Sequence, residues 1–344
     1  MPPSPDMTVV VCSKDGAATI DRTLASLARQ TFADRLEVVV VDDGSADATA
    51  AVAARRGATV VRNDRNLGLA ASRNRGVAAS SAPVVAFIDD DCEADPRWAE
   101  RLLAAYADGV TGVGGTVEPG PGDDFTRSYL RRHNPLEPLE MELARSERPL
   151  YRLRLYLSRQ WASVVRPPHR DVFSLVGASM SFRRGALERA GGFDEAFAFG
   201  AEELELCYRM RRHDPSLRLV LAEDARVVHH FRPSLRDTLR RSRSYGRGTA
   251  RLHRRWRSVR PTVFPVPVIV AGAALAAARR PALAAVAAAA PALLYPSGVA
   301  AAVRARRPRL VADAYVQLAQ ETLGNAGAAE GLWRFRDLPP AVGA

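Results

Sequence analysis

Lysine is almost absent from this chain: Lys14 is the only one among 49 basic residues, so the formal charge of +11 is carried by arginine. Cysteine is scarce too. Cys12, Cys92 and Cys207 lie far apart with neither zinc nor redox spacing, which excludes a disulfide scaffold and suits reduced thiols in a cytosolic compartment. The first apolar run is not followed by G-x-G-x-x-G but by Cys12-Ser13-Lys14-Asp15-Gly16-Ala17, and no G-x-x-x-x-G-K-[ST] loop occurs. A dinucleotide dehydrogenase and a P-loop nucleotidase are thereby excluded. The segment Met1 to Met7 is polar and proline-rich, without the apolar core of a signal peptide, so the catalytic part is expected in the cytosol.

What is present is an alternation of strand and helix patterns, in a chain 47% hydrophobic and 25% charged, hence folded rather than disordered. Val9-Val10-Val11, Val38-Val39-Val40-Val41, Thr59-Val60-Val61 and Val84-Val85-Ala86-Phe87-Ile88 are continuous apolar runs, as strands buried on both faces require. After the first run Ile20, Leu24 and Leu27 recur at helical spacing; after the second, Asp47 can cap a helix and Gly57 close it. Four such alternations predict an α/β fold with a doubly wound, mostly parallel sheet and flanking helices.

The fourth run ends in Asp89-Asp90-Asp91. Carboxylates at a strand's C-terminal end sit where open α/β sheets bind ligands. A cation is the simplest way to hold clustered anions together, and hard oxygen donors suit Mg²⁺ or Mn²⁺ shared with a phosphorylated substrate. Alone, such a run is more often a solvated acidic turn; the strand ends before it give it weight.

Downstream, Gly112 to Val117 reads as a further strand, with glycines for close backbone approach. Residues 123–168 turn mixed-charge and proline-punctuated, as an insertion over the sheet edge. Strand character resumes over Phe173 to Phe182, and a short helix runs to Ala190. Glu202 and Glu203 then open another helix, where two acids also simply complement the macrodipole. His229-His230 follows a strand and is weak evidence for metal by itself. Ten arginines between Arg236 and Arg260, with Tyr245 and Trp256 interleaved, favour an anionic membrane surface; no standard nucleic-acid module accompanies them, so nucleic acid is not an expected partner. Thr262 to Ala278 and Pro281 to Val303 are uncharged, separated by Arg279-Arg280. Each approaches the ~20 residues that span a bilayer. The alternative is a pair of buried soluble helices. Tyr315, Leu318 and Leu323 are the expected core contacts of the amphipathic tail.

The order Val-Val-Val-Cys12-Ser13-Lys14-Asp15, Val-Asp42-Asp43-Gly44-Ser45, Asn66-Leu67-Gly68 with Arg73-Asn74, Phe87-Ile88-Asp89-Asp90-Asp91, and Gly191-Gly192-Phe193-Asp194-Glu195 before Glu202-Glu203-Leu204-Glu205-Leu206 with Arg209 resembles a family-2 glycosyltransferase of the GT-A fold. Any one of these motifs is weak; five in order are specific. The resemblance implies a GT-A domain over residues 7–235: a nucleotide-sugar-binding half (1–118), an insertion (119–172) and an acceptor-side half (173–235). A basic juxtamembrane segment (236–261), a membrane-associated or spanning apolar hairpin (262–303) and a C-terminal tail (304–344) follow.

It further implies that Cys12, Ser13, Asp15, Asp43, Arg73, Asp89 and Asp90 face the donor nucleotide. Asp89, Asp91 and His229 would hold Mn²⁺ or Mg²⁺, with His229 fitting the spacing better than His230. The second acid of the family's Glu-Asp pair is the catalytic base, which falls on Glu203, with Glu202 as the alternative; this chain departs from the family by having glutamate there. The Gln-x-x-Arg-Trp signature of processive synthases is missing, which points to single addition. The activity implied is inverting, metal-dependent transfer of one sugar from a nucleoside-diphosphate sugar to a lipid-linked or cell-envelope glycan acceptor at the cytosolic face of the membrane. Sugar transfer to a polyprenyl phosphate is the alternative within that chemistry, and a non-catalytic nucleotide-sugar-binding scaffold the alternative outside it.

Overall fold

The computed structural model describes residues 4–122, 124–134, 142–143, 146, 148–161, 169–197, 200–231 and 234–341. The chain divides into two units, residues 1–142 with 166–233 and residues 143–165 with 234–344.

The first unit is built on one sheet. In chain order its elements are β1 (Met7–Ser13), α1 (Ile20–Ala28), β2 (Leu36–Asp42), α2 (Thr49–Arg55), β3 (Thr59–Arg62), α3 (Leu69–Ala79), β4 (Val84–Asp89), β5 (Cys92–Ala94), α4 (Trp98–Ala104), β6 (Val110–Pro119) and α5 (Phe125–Arg132). After α6 (Pro149–Trp161), which belongs to the second unit, come β7 (His169–Asp171), β8 (Ser179–Arg183), α7 (Arg184–Arg189), α8 (Glu202–His213) and β9 (Arg218–His229). The strand order is β3-β2-β1-β4-β8-β6-β9-β5, with β7 also on β9. β3, β2, β1 and β4 are mutually parallel, as the four apolar runs predict. β8 enters antiparallel between β4 and β6, and β6 and β9 are parallel again.

The continuous runs are explained by two cores. Val9, Val11, Val40, Ala86 and Ile88 face one side, against Ile20, Leu24 and Leu27 of α1 and Trp98 and Leu102 of α4. Val10, Val39, Val41, Val85 and Phe87 face the other, against Ala70 of α3, Leu187 of α7 and Leu206, Cys207 and Met210 of α8. Each fully buried aliphatic side chain contributes about 1.5–3 kcal/mol, so this double-sided burial is what fixes the sheet.

The expected strand over Phe173 to Phe182 is shorter than its pattern: only Ser179–Arg183 is extended. The preceding residues form a turn in which the Gly177 carbonyl accepts from Arg73 Nη2 at 3.4 Å, and a Cβ on Gly177 would lie 2.6 Å from that nitrogen. The loop is thus shaped by a buried arginine rather than by a ladder. Asp47 stands one residue outside the expected cap, accepting from Thr49 N at 3.0 Å, while Ala48 occupies the cap itself.

The second unit contains α6, α9 (Leu235–Arg255), α10 (Pro265–Arg279), α11 (Ala284–Leu294), α12 (Pro296–Ala305) and α13 (Ala312–Arg334). The insertion expected over 119–172 is therefore divided. The physical reason is a buried polar cluster: Glu321 Oε2 on α13 accepts from Tyr156 of α6 and from Tyr295 between α11 and α12, each at 2.8 Å, and Gln317 donates to Gln160 at 3.1 Å. Residues 135–141 and 162–168 of that insertion lie outside the described residues.

α9 and α13 pack through glycine. A Cβ at Gly246 would sit 2.1 Å from the Gly324 carbonyl oxygen, and one at Gly327 would sit 2.0 Å from that of Arg243. The buried face of α13 is accordingly Gly324, Gly327, Ala328 and Gly331, whereas Tyr315 is 44% exposed. This corrects the expectation that Tyr315 is a core contact; Leu318 and Leu323 are half-buried beside that face. The arginine run is also partly consumed here: Arg243 and Arg247 pair with Glu330, Arg254 donates to the Leu332 carbonyl, and Arg251 lies over the Phe335 ring.

α10 and α11 leave most of their apolar side chains exposed, apart from Val266, Pro267 and Pro291. Val268, Ile269, Leu275, Val286 and Leu293 are all more than half accessible. The second apolar run is broken at Tyr295-Pro296, so the expected two-helix hairpin is three helices. Among the described residues no single helix is long and apolar enough to cross a membrane; the pair Pro281–Leu294 and Pro296–Ala305, bent by 78°, could do so by length and composition.

Candidate active site

The parallel register brings three strand ends together. Cys12 of β1 stands beside Asp89 of β4, and Ser13 beside Asp42 of β2. The turns leaving these strands are stitched to one another. Asp15 Oδ1 accepts from Ala46 N at 2.8 Å, and Ser45 Oγ accepts from Asp15 N at 2.9 Å. The Asp15 carboxyl is held below its ordinary range, chiefly by that hydrogen bond from Ala46. Ser13 Oγ donates to Asp90 Oδ2, which turns Asp90 toward β1. The Cys12 thiol is pushed up to about 12 by burial, with Arg73 opposing, and stays protonated.

Asp43 has its carboxylate filled by the chain itself. It accepts from Asn63 Nδ2 at 2.8 Å, Leu67 N at 2.7 Å and Gly68 N at 2.9 Å. The Asn66-Leu67-Gly68 loop is therefore pinned to the end of β2, directly before α3.

β5 pairs antiparallel with the end of β9, placing Cys92 opposite His229. His229 Nε2 lies 3.4 Å from Asp91 Oδ1 and 3.8 Å from Asp89 Oδ2. His230 points elsewhere, with Nε2 3.3 Å from Glu93. Asp91, Cys92 and His229 bring one potential ligand atom each within 4.8 Å of one another. Carboxylate oxygen and imidazole nitrogen in this spacing fit a divalent ion.

A second cluster is centred on Arg73, projecting from α3. Its Nη1 lies 2.8 Å from Glu202 Oε1 and its Nη2 3.8 Å from Asp89 Oδ1. Arg73 and Glu202 are almost wholly buried, at 3% and 4% exposure. Burial opposes the arginine's charge, but Glu202, Asp89 and Glu203 outweigh it and raise its pKa. Asp89 has its pKa raised, mainly by lost hydration, although a third of its side-chain surface remains accessible. Arg73 is thus the link between the Asp89 end of the site and the acid pair that opens α8, rather than a side chain reaching into open space.

Ala201 precedes that pair in a left-handed conformation, φ 68°, a strained position for a residue with a Cβ. The Glu202 and Glu203 side chains stand in different surroundings. Glu202 is committed to Arg73. Glu203 is half-buried, with its Oε2 shielded from solvent and without a hydrogen-bond partner among the described residues. Burial, then the neighbouring Glu202, push the Glu203 pKa from 4.5 to about 8, against the pull of Arg73.

Sequence reasoning did not anticipate the clamp at Asn74. Its Nδ2 donates to the Phe193 carbonyl at 2.9 Å while its Oδ1 accepts from Phe193 N at 2.8 Å. Arg209 grips the same turn by donating to the Gly192 carbonyl at 2.7 Å, and is itself held by Glu205 of its own helix at 2.9 Å. The signal was the Gly191-Gly192-Phe193-Asp194 turn following an Arg-Asn pair, whose backbone needs partners.

The model of a protein family described as Glycosyl transferase family 2 matches residues 8–188, and one described as Glycosyl transferase family group 2 matches residues 154–298. The pre-mycofactocin glycosyltransferase of Mycobacterium tuberculosis is 30% identical over 277 residues, 79% of this chain and 52% of that protein. The chain thus spans about half the length of that relative. The glucosyl-dolichyl phosphate glucuronosyltransferase of Haloferax volcanii is 28% identical over 65% of this chain and 68% of its own. Among solved structures, a mannosyltransferase from Pyrobaculum calidifontis in complex with GDP-Man and Mn²⁺ superposes with a TM-score of 0.57 at 22% identity, covering 96% of this chain and 88% of that one. It shares the GT-A fold.

Proposed function

The chain belongs to glycosyl transferase family 2, and on that premise we propose that it moves one sugar from a nucleoside-diphosphate sugar to a lipid-linked or cell-envelope glycan acceptor, with inversion and with a divalent metal. The observation that carries this reading is the pairing of two differently prepared carboxylate groups. Asp91 sits 3.4 Å from His229 as a metal-type donor pair, and Glu203 is a shielded carboxylate whose pKa is raised toward neutrality.

The two groups meet the two demands of the reaction. The nucleoside diphosphate leaves with added negative charge, which a bound Mn²⁺ or Mg²⁺ would neutralise. Asp91 and His229, with Asp89, would hold that ion. The donor nucleotide would lie over the stitched ends of β1 and β2, among Cys12, Ser13, Asp15, Asp43 and Asp90. On the other side, the acceptor hydroxyl is a poor nucleophile until its proton is taken. Glu203 accepts that proton as the acceptor oxygen bonds to the anomeric carbon and the bond to the diphosphate breaks. Glu202 is tied to Arg73 at 2.8 Å and Asp89 stands on the metal side, which leaves Glu203 to serve as base and supports direct displacement.

The membrane element in this reading is α10 to α12. Apolar side chains open to solvent around two alanine-rich helices fit lipid rather than a protein groove, and the arginines at 279, 280, 304, 306, 307 and 309 suit anionic headgroups. α10, with 15 residues, is about 22 Å long, short of a bilayer's ~30 Å apolar core. The test is one incubation of the protein with nucleoside-diphosphate sugars, Mn²⁺ and anionic vesicles carrying envelope lipids. The expected result is co-sedimentation of the protein and transfer of label into the vesicle fraction with an inverted anomeric configuration. Retention of configuration, or protein and label that both stay in the supernatant, would contradict the reading.

A further inference from the structure

Phe125 apart, every markedly exposed large apolar side chain among the described residues belongs to the second unit. The membrane reading above accounts for those on α10 to α12. It leaves unexplained those on α6, the helix that the insertion contributes to this unit. Leu150, Leu153 and Leu157 are 82%, 45% and 48% exposed. They recur at i, i+3 and i+7, which is one stripe of an α-helix.

Directed bonds on the opposite face of α6 keep the stripe outward. Tyr156 donates to Glu321 at 2.8 Å, and Gln160 accepts from Gln317 at 3.1 Å. Arg152 donates to the Leu143 carbonyl at 2.7 Å and to that of Pro261 at 3.2 Å. The Tyr156 ring lies 6.3 Å from that of Phe264, the residue that precedes α10. Turning the helix to cover its leucines would strip buried polar groups of these partners.

Charge indicates what covers the stripe instead. From Pro149 to Trp161, α6 holds Arg152, Arg154 and Arg159 and no carboxylate. Arg154, exposed and four residues after Leu150, adjoins the stripe. A protein groove that took the leucines would bury this guanidinium. A bilayer surface suits both, since the leucines enter the acyl boundary while the arginine stays level with anionic headgroups. With 13 residues the helix is about 20 Å long, too short to span a ~30 Å apolar core.

We propose that α6 lies flat in the surface of an anionic bilayer, as a membrane contact separate from α10 to α12. Arg154 sets its depth at the headgroups, so the leucines reach only the first carbons of the acyl chains. This contact extends the membrane reading to a helix outside the apolar runs and does not depend on the transfer chemistry.

The test uses the full chain carrying Cys12→Ser and Leu153→Cys, labelled at position 153 with an environment-sensitive fluorophore. Cys92 and Cys207 are buried, and the same protein without Leu153→Cys measures stray label. Protein purified in mild detergent is transferred to vesicles of phosphatidylcholine with phosphatidylglycerol. Emission is expected to shift to the blue. A nitroxide near the head of the acyl chain should quench it at least ~2-fold more than one at the far end, as a helix about 5–10 Å deep requires. With phosphatidylcholine alone the shift should shrink. In unlabelled protein, Leu150→Glu, Leu153→Glu and Leu157→Glu together should weaken vesicle binding at least ~10-fold. The unfolding midpoint in detergent, and binding of nucleoside diphosphate with Mn²⁺, should match the wild type. If the triple variant does not fold, Leu150→Glu alone gives the comparison.

Emission unmoved by vesicles that the protein nevertheless binds would leave α6 in water and lipid contact to α10 to α12. Stronger quenching from the far end of the chain would mean deep insertion, and an equal shift on phosphatidylcholine alone would remove the role of charge. Unchanged vesicle affinity in the glutamate variant would place the contact elsewhere. A label that lipid nitroxides leave untouched, while Leu153→Cys copies join as a disulfide dimer, would assign the stripe to a second copy of the chain. Each overturns the proposal. If quenching is as expected while the wild type binds no nucleoside diphosphate, α6 keeps its place and the transferase reading falls.

Discussion

Glu203→Gln is expected to lower kcat by about 10²–10⁴-fold while leaving the affinity for nucleoside diphosphate and Mn²⁺ close to that of the wild type. Glutamine keeps the size and the hydrogen-bonding outline of the side chain but cannot take a proton. The assignment rests on the division of labour at the start of α8, where Glu202 is spent on Arg73 at 2.8 Å and Glu203 Oε2 is shielded and unpartnered among the described residues. The raised pKa sets a pH signature. With a value of about 8 in the free protein, the ionised fraction, and with it kcat/KM, should climb by up to ~10-fold per pH unit on the acid side and level off above that value. The residual activity of the variant should lack this limb.

Stability should move the opposite way. A carboxylate with its pKa raised from 4.5 to about 8 costs stability progressively as pH rises from the unfolded value to the folded one, because the native state then binds the proton that the unfolded state has released. Glu203→Gln should therefore raise the melting temperature at pH 8 and leave it nearly unchanged at pH 4. Turnover within tenfold of the wild type would place the base elsewhere.

Arg73→Met should cost about 3–5 kcal/mol of stability, the range for removing one partner of a buried ion pair. Glu202, 4% exposed, would lose its counter-charge, and its Oε2 already has no hydrogen-bond partner among the described residues. The loss would spread further. Arg73 also holds the Gly177 carbonyl and lies 5.5 Å from the centre of the Phe193 ring, so the turn before β8 and the glycine turn before α8 both lose a brace. Adding Glu202→Leu should recover most of the loss, since an apolar pair of similar volume often replaces a buried ion pair at little cost. The measurement is denaturant unfolding of the two variants and the wild type. A single-variant loss below about 1 kcal/mol would mean that the pair is hydrated and does not organise the site.

The skeleton of the first unit is legible in the sequence because its strands are buried on both faces. Uninterrupted valine runs ending in Asp42-Asp43 and Asp89 give the strands, and the residue types at their ends give the ligand side of the sheet. The fate of Arg73 is not legible. Its partners, Glu202 and Gly177, lie more than 100 positions away, and no local pattern distinguishes an arginine turned inward from one that faces a ligand. For the same reason the pattern over Phe173 to Ala178 suggests strand where a turn is moulded on that guanidinium. In the second unit, periodicity points to Tyr315, Leu318 and Leu323, while the packed face of α13 is Gly324, Gly327, Ala328 and Gly331. Hydrophobic patterns register large side chains and are blind to a helix contact built on the absence of them. The attachment of α6 to the second unit depends on Tyr156 and Gln160 finding Glu321 and Gln317, again a match between distant polar residues.

Thermal unfolding decides whether the strand ends form a metal-dependent nucleoside-diphosphate site. Detergent-solubilised protein is melted with UDP, GDP or dTDP, each with and without Mn²⁺. At a hundredfold excess over the dissociation constant a bound ligand adds about 2.7 kcal/mol, a shift of several degrees. One diphosphate is expected to raise the midpoint only when Mn²⁺ is present, and Asp91→Ala to abolish the shift. A midpoint that none of the three moves, or a shift that survives both Asp91→Ala and the omission of metal, would contradict it.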